Sequence, residues 1–184
     1  NSAVPLTPID PAACTSVASI CDALGARFDY VLNCTYNHLE PIEYDHYELY
    51  LTLLYKIDAP TFAYTVMDGP FFSIYPYNMD ANIYTLTHVV HGVVYAGHTT
   101  DAFVTEDQVS AHRARIESDV RAYLPTWDKH ASYVGYFTSW KTKFTTTTDD
   151  RSLRYKMDGN VLHLYGGKIT GIYHAQDVVD ALLV

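Results

Sequence analysis

The stretch LHLYGGKIT, residues 162–170, predicts a strand, a tight turn at two glycines and the start of a helix. Glycine lets a backbone approach a ligand closely, and the N-terminus of a helix exposes unpaired N–H groups that favour anions or electron-rich heteroatoms. The same pattern also suits a strand-to-helix turn that binds nothing. It is not a phosphate-binding P-loop, because that motif requires glycine at Leu162 and serine or threonine at Ile169.

Two segments precede this stretch. An Asp158-Gly159 turn leads into its strand, and a polar loop at residues 149–152 contains Arg151 beside two aspartates. An arginine in such a loop can be ion-paired and solvated, or it can clamp a carboxylate in bidentate fashion. Both interpretations of Arg151 stay open.

The N-terminal region predicts a helix followed by a buried strand. Asp10-Pro11 suits a helix start, Gly25 suits a helix end, and residues 28–36 form a short apolar run that ends in small polar residues. This order is typical of the second half of a βαβ unit.

The middle of the chain predicts an antiparallel sheet. Strand-like segments at 47–57, 62–67, 71–77 and 83–95 are joined by short links, and Asp68-Gly69-Pro70 predicts a hairpin turn. A helix follows with a Thr105/Gln108 capping box, and another strand-like segment covers 132–144. The predicted fold class is therefore α+β.

Composition narrows the possible partners. A net charge of −9 argues against a nucleic-acid partner, and no apolar run is long enough to cross a membrane. The 17 tyrosines favour half-buried strands over a tyrosine-based recognition surface. Three cysteines without paired spacing favour a reducing compartment, so a cytoplasmic location is expected.

The histidines do not predict a metal site. His88 and His91 are three residues apart in a segment that reads as one strand, so their side chains should point to opposite faces. On that basis no metal ligands are assigned.

Taken in order, these segments resemble the C-terminal half of the D-amino-acid-oxidase-like family of FAD-dependent oxidoreductases. In that family a strand ending in a polar motif lies beside the flavin, as residues 31–36 do by similarity. The hairpin at 67–77 is similar to one in the family's antiparallel substrate domain. The loop at 149–152 and the turn at 165–170 are similar to the return into the FAD domain. The resemblance extends from Phe28 to Leu183.

The resemblance implies a domain plan and a set of binding residues. Residues 1–36 would supply a helix and strand of a Rossmann-like FAD domain, 37–145 the antiparallel-sheet substrate domain, and 146–184 the return segment. The cofactor FAD would contact Asn33, Cys34, Thr35, Tyr36, Gly166, Gly167, Lys168, Ile169 and Thr170. A small-molecule substrate, an amine, amino acid or hydroxy acid, would contact Arg151, Tyr75 and Tyr77. No catalytic base is assigned.

One departure from the family leaves alternatives open. The Gly-x-Gly-x-x-Gly turn that grips the dinucleotide phosphates is absent from the sequence. Either a missing N-terminal segment or a partner chain completes the Rossmann domain, in which case this is a fragment, or the chain does not bind FAD. In the last case it would be a non-enzymatic β-sheet binding or interaction module, or a subunit whose tyrosine-rich sheet pairs with another chain.

Overall fold

The structure is a computed structural model, and it describes residues 8, 16–35, 39, 46–67, 69–143, 152–166 and 170–183. The chain divides into two compact units. Unit 1 comprises Asn1–Tyr44 and Phe144–Val184, and unit 2 comprises Asp45–Lys143. Unit 1 is therefore built from both ends of the chain, and unit 2 is continuous in sequence.

Unit 2 is an antiparallel sheet with helices. Its elements are β2 (His46–Ile57), β3 (Tyr64–Thr65), β4 (Phe72–Asn78), β5 (Ile83–His88), β6 (Val93–Gly97), α2 (Glu106–Tyr123), α3 (Trp127–His130) and β7 (Ala131–Lys143).

The long strand β2 organises the six-stranded sheet. β7 pairs with β2 along its whole length, from His46 opposite Lys143 to Ile57 opposite Ala131. On the other edge of β2, β6 pairs with the first half and β5 with the second half. β4 and β3 extend the sheet beyond β5. The predicted antiparallel sheet is thus confirmed, and its first predicted hairpin strand shortens to Tyr64–Thr65.

The core of unit 2 lies between one face of this sheet and helix α2. Alternate residues of β2, such as Leu51 and Leu53, are fully buried, and they pack in one cluster with Ile116 and Val120 of α2. Side chains alternate across a strand, so the intervening residues of β2 point to the opposite face, which we call the open face.

Helix α2 begins where the sequence predicts. Thr105 is its N-cap, and the Thr105 and Gln108 side chains each accept a hydrogen bond from the other's backbone N–H. Glu106 and Asp107 occupy the first turn, where the partial positive charge of the helix N-terminus favours acidic side chains.

Unit 1 contains α1 (Val17–Leu24), β1 (Val31–Asn33), β8 (Arg154–Asp158), β9 (Val161–Tyr165) and α4 (Gly171–Leu183). Its three strands form a separate sheet in the order β1-β9-β8. β1 runs parallel to β9, and β8 and β9 form an antiparallel hairpin that turns at Gly159, whose φ is +58°.

Two predictions for the N-terminal region are corrected. Helix α1 is capped by Ser16 in a reciprocal box with Ser19, so it begins there and not at Asp10-Pro11, which lie outside the described residues. β1 is not a fully buried strand, because Leu32 is 46% exposed. The predicted helix end at Gly25 is confirmed by its left-handed backbone, with φ at +60°.

With mixed helices and antiparallel strands, the fold class is α+β as predicted. None of the helices in the described ranges combines the length and the apolar character that a bilayer-crossing helix requires.

Candidate functional site

The carboxyl ends of β1 and β9 lie at the same edge of the unit 1 sheet. The two strands are parallel neighbours, and Asn33 at the end of β1 is level with His163 in β9. Cys34 and Thr35 follow β1, and Gly166 follows β9. The structure therefore brings two of the motifs singled out from the sequence to one edge, and ligands of open α/β sheets bind at such carboxyl edges.

Asn33 anchors this edge with its whole side-chain amide. Its Nδ2 donates to the Leu39 carbonyl at 2.9 Å and to His163 Nδ1 at 2.9 Å. Its Oδ1 accepts from the Thr35 backbone N–H at 3.2 Å and from the Thr35 hydroxyl at 2.8 Å. Asn33 is buried, and these bonds satisfy both donors and the acceptor of its amide.

Thr35 extends the same network towards the solvent. Its Oγ1 accepts the Leu39 N–H at 3.1 Å while its hydroxyl proton points to Asn33. The neighbouring Cys34 is exposed as a residue, but partial burial of its sulfur raises the pKa of the thiol. The thiol is therefore neutral at pH 7, which argues against a nucleophilic role for Cys34.

Gly166 directly follows β9 and lies close to Leu153. A Cβ atom at this position would lie 2.7 Å from Leu153 Cδ1. Thr170 is exposed and immediately precedes α4, which starts at Gly171, so the predicted order of a strand followed by a helix is confirmed, while residues 167–169 of the predicted turn lie outside the described residues. The other predicted site residues, Tyr36, Arg151, Gly167, Lys168 and Ile169, lie outside the described residues.

His163 belongs to this edge, and sequence reasoning missed it. It is buried, and its ring is stacked on that of Tyr165. Its Nδ1 accepts a hydrogen bond from Asn33 Nδ2. In the neutral ring the proton must then lie on Nε2. His163 also lines a cleft of about 480 Å³ between α1 and the sheet, together with Cys21, Arg27 and Asn160. The signal in the sequence was a polar residue at an inward position of an otherwise apolar strand.

The predicted substrate residues Tyr75 and Tyr77 lie in unit 2, on the open face of its sheet. Tyr75 is 46% exposed, and its hydroxyl is 2.7 Å from Thr65 Oγ1. Tyr77 is 61% exposed and stacks on Phe137, with ring centroids 5.9 Å apart. The two tyrosines thus form one aromatic and hydroxyl-bearing surface, to which Phe137 and Thr65 were not assigned from the sequence.

The prediction that His88 and His91 point to opposite faces is wrong. β5 ends at His88, a turn covers residues 89–92, and β6 starts at Val93. The turn stacks the two imidazoles with centroids 4.7 Å apart, and both approach Asp119 of α2. Their ligand atoms lie within 4.8 Å of one another, a spacing that suits a metal ion.

The carboxyl edge of unit 1 fits part of a flavin and not all of it. An exposed threonine and the end of a strand can face the polar rim of a flat ring system, whereas the close contact of Gly166 is with the chain's own Leu153. A diphosphate needs a glycine-rich turn at a helix N-terminus, and the sequence has no Gly-x-Gly-x-x-Gly. The residues at this edge therefore suit the ring and leave the phosphates without their usual partner.

Comparison with known proteins gives one relative of stated activity. The chain is 32% identical over 166 residues to the FAD-dependent monooxygenase FPY4 of Fusarium mangiferae. The alignment covers 86% of this chain and 45% of that relative, so the chain spans less than half of the relative's length. No protein-family model matches the sequence.

Proposed function

We propose that this chain is the C-terminal portion of an FAD-dependent oxidoreductase. The observation that carries the proposal is the convergence of the two predicted flavin-edge motifs, after Asn33 and after Tyr165, at the carboxyl edge of parallel strands. Similarity to an FAD-dependent monooxygenase over most of the chain supports it independently of the site.

In this proposal Thr35 and Gly166 border the flavin ring, with Tyr36 and residues 167–170 completing the rim. The flavin would accept a hydride from the substrate, which is the difficult chemistry that the cofactor supplies. The chain's own residues would position the groups that contact the ring. Asn33 and His163 keep Thr35 oriented through hydrogen bonds. The start of α4 offers N–H groups to electron-rich atoms of the ring.

The phosphates and the adenosine would be bound elsewhere. A further N-terminal segment or a partner chain would supply the glycine-rich turn and continue the sheet. In the described part of the chain β1 pairs with β9 alone, so its second edge is available. Phe28, Tyr30 and Leu32 alternate along that segment and are all half exposed, as expected of a surface that another layer covers.

At the finer level we propose a reaction of the D-amino-acid-oxidase-like type on a small amine, amino acid or hydroxy acid. The open face of unit 2, with Tyr75 and Tyr77, would contact the substrate. Arg151 is proposed from the family resemblance alone as a group that holds a carboxylate, because it lies outside the described residues. Tyrosine hydroxyls and an arginine fork are the groups that recognise carboxylates. No general base is proposed.

The first experiment uses riboflavin, which carries the ring without the diphosphate. Saturable quenching of riboflavin fluorescence by the chain is expected. Thr35→Val should weaken binding about tenfold or more, because an unmade hydrogen bond costs about 1–3 kcal/mol. Thr35→Ser keeps the hydroxyl and should bind like the parent, and Thr99→Val controls for the loss of an exposed threonine.

Absence of any saturable quenching, together with no flavin colour after mixing with FAD and gel filtration, would sink the enzyme proposal for this chain. Equal binding by Thr35→Val and the parent would sink the assignment of the rim while leaving flavin binding in place. Circular dichroism of each variant checks that unit 1 stays folded.

The second candidate function is a non-enzymatic interaction module. The exposed aromatic surface of Tyr75, Tyr77 and Phe137 favours it, because exposed aromatic patches are enriched at protein interfaces. Size-exclusion chromatography with light scattering would detect self-association, and Tyr77→Ser should abolish it. A monomer at every concentration tested counts against pairing between copies.

A further inference from the structure

The turn between β5 and β6 carries a polar cluster that the proposed flavin and substrate sites do not use. His88 is 0% exposed. Its Nδ1 accepts the backbone N–H groups of Val90 at 3.2 Å and His91 at 3.0 Å. One imidazole nitrogen therefore closes the turn by serving as a double acceptor.

The opposite nitrogen of His88 faces helix α2. His88 Nε2 is 3.0 Å from Asp119 Oδ2, and His91 Nε2 is 3.4 Å from the same oxygen. The His88 N–H is not aligned with that oxygen, so Nε2 is buried without a hydrogen bond among the described residues. A single carboxylate thus approaches two stacked imidazoles.

The spacing of this cluster suits a metal ion, but the protonation of His88 does not. Because Nδ1 accepts two N–H groups, the neutral ring carries its proton on Nε2. A histidine that binds metal through Nε2 needs a free lone pair there, and it normally donates from its other nitrogen. The turn therefore holds His88 in the form that does not ligate a metal.

We propose that the His88 turn is an acid-opened latch. A proton added at Nδ1 converts the double acceptor into a donor, which then faces the N–H groups of Val90 and His91. Both hydrogen bonds are lost, and the turn at residues 89–92 detaches from its closed conformation. Nothing else on the turn replaces the acceptor in the described structure.

The charges around His88 set the direction of the response. Burial lowers the pKa of His88, and His91 lowers it further, while Asp119 acts in the opposite sense. A lowered pKa means that neutral His88 stabilises the fold fully above the ordinary value of 6.5, and that this stability is lost as the pH falls below it. Burial raises the pKa of Tyr50, whose hydroxyl donates to the His88 carbonyl, to about 12, so Tyr50 stays neutral throughout.

Helix α2 contributes one more group at this place. His112 Nδ1 is 2.7 Å from the His91 carbonyl, so it donates to the backbone of the turn. Among the described residues, the titratable groups that face the latch are therefore His91, Asp119, His112 and Tyr50, and Asp119 is the one carboxyl group among them.

The latch is connected to the open face of the sheet through Tyr50. The Tyr50 hydroxyl donates to the His88 carbonyl at 2.8 Å, and Lys141 Nζ lies 3.2 Å from the centre of the Tyr50 ring. Gly92 N donates to the same carbonyl at 2.8 Å. Opening the turn would release the Tyr50 hydroxyl from the His88 carbonyl, and this would carry the proton signal from the α2 side of unit 2 to the Tyr50 ring on its open face.

The test is backbone hydrogen exchange of the full chain, followed residue by residue by NMR and corrected for intrinsic rates. Protection of the Val90 and His91 amides should fall about tenfold between about pH 7.5 and about pH 5, the range in which histidine titrates. Amides in the β2–β7 ladder should keep their protection.

Three variants sharpen the result. His88→Asn keeps a neutral acceptor near the position of Nδ1, so the turn should stay protected at both pH values. Asp119→Asn removes the counter-charge, so opening should move to lower pH. His130→Gln removes a histidine elsewhere in unit 2 and should leave the parent profile unchanged.

The latch is overturned if the Val90 and His91 amides are equally protected at both pH values, or if His88→Asn loses protection in acid as the parent does. It is also overturned if metal-free protein at about pH 7.5 takes up one equivalent of added zinc and His88→Asn does not, because the cluster is then a metal site.

Discussion

At the scale of single residues, Asn33 ties three separate segments of unit 1 together. Its amide joins the end of β1 to the Leu39 carbonyl and to His163 in the middle of β9. Because all these groups are buried, loss of a partner leaves an unmet donor or acceptor, which costs more than the net gain of one hydrogen bond. The edge proposed to face the flavin therefore depends on one side chain behind it.

Asn33→Asp tests this dependence. A carboxylate has no N–H to give to the Leu39 carbonyl or to His163 Nδ1, so unit 1 should lose about 1–3 kcal/mol at pH 8. Urea unfolding at pH 8 measures this loss. Asn160→Asp, at an exposed site with one bond to the Phe28 carbonyl, is the control and should cost less.

Tyr55 and Glu117 form a second residue-scale test, in unit 2. The buried Tyr55 hydroxyl donates to Glu117 Oε1 at 2.6 Å. Tyr55→Phe should cost about 1.5–3 kcal/mol, the range for a hydrogen bond to a charged group. Tyr136→Phe removes a similar bond to Glu106 at an exposed site and should change stability by about 0.5 kcal/mol or less. Equal losses in the two variants would contradict the role of burial.

Glu117 also predicts how unit 2 responds to acid. Burial alone would raise the pKa of Glu117, but its bonds from Tyr55, Arg113 and Arg121 lower it overall. A lowered pKa gives stability that is present above the ordinary value of 4.5 and is lost as the pH falls through the folded value. Thermal unfolding from pH 6 to pH 3 should show this decline, and Glu117→Gln should flatten it while lowering stability at pH 6.

At the scale of elements, the β5–β6 connection explains why part of the fold escaped prediction. The sequence Val89-Val90-His91-Gly92 contains no proline, asparagine or aspartate, and two valines favour a continuous strand. The chain turns here because His88 Nδ1 accepts two amides and Gly92 fits beneath the Tyr50 ring. These are tertiary contacts, which local patterns do not encode.

Gly92→Ala tests the tightness of that turn. A Cβ atom there would lie 2.5 Å from the His88 carbonyl oxygen and 2.6 Å from Tyr50 Cζ. Because one of these atoms belongs to the backbone, the turn must shift, and a loss of about 1–3 kcal/mol in unit 2 is expected. Gly171→Ala, where the nearest atom would be at 4.0 Å, is the control. An unchanged denaturation midpoint for Gly92→Ala would refute the close contact.

Elements with complete local signals were predicted more accurately. Three such elements are the Thr105/Gln108 box at α2, the glycine end of α1 and the turn at Gly159. In each, the residues that form the cap or the turn are neighbours in the sequence, so the sequence alone indicates it. The start of α1 was predicted wrongly because Asp10-Pro11 matches the usual sequence pattern of a helix start more closely than Ser16 and Ser19 do. In the structure it is the Ser16/Ser19 box that caps the helix. The partnership of Asn33 with His163 was invisible, because 130 residues separate the two.

At the scale of the whole molecule, unit 2 has its own core within one continuous segment. The buried cluster that joins β2, β4 and β5 to α2 and α3 lies entirely inside Asp45–Lys143. A segment of this size with its own core is expected to fold alone. Residues 45–143 expressed by themselves should unfold cooperatively in urea and keep the near-ultraviolet circular dichroism of the core aromatics. A gradual, non-cooperative transition would contradict this autonomy.

The parallel pairing of β1 with β9 has a consequence for how the protein is made. On a ribosome that adds about 5–20 residues per second, the partner of Asn33, 130 residues downstream, emerges about 7–26 seconds later. Residues 45–143 emerge in this interval and can complete their fold first. Until β9 emerges, β1 remains unpaired and its apolar residues are exposed. We therefore expect a chaperone to bind this stretch of the nascent chain.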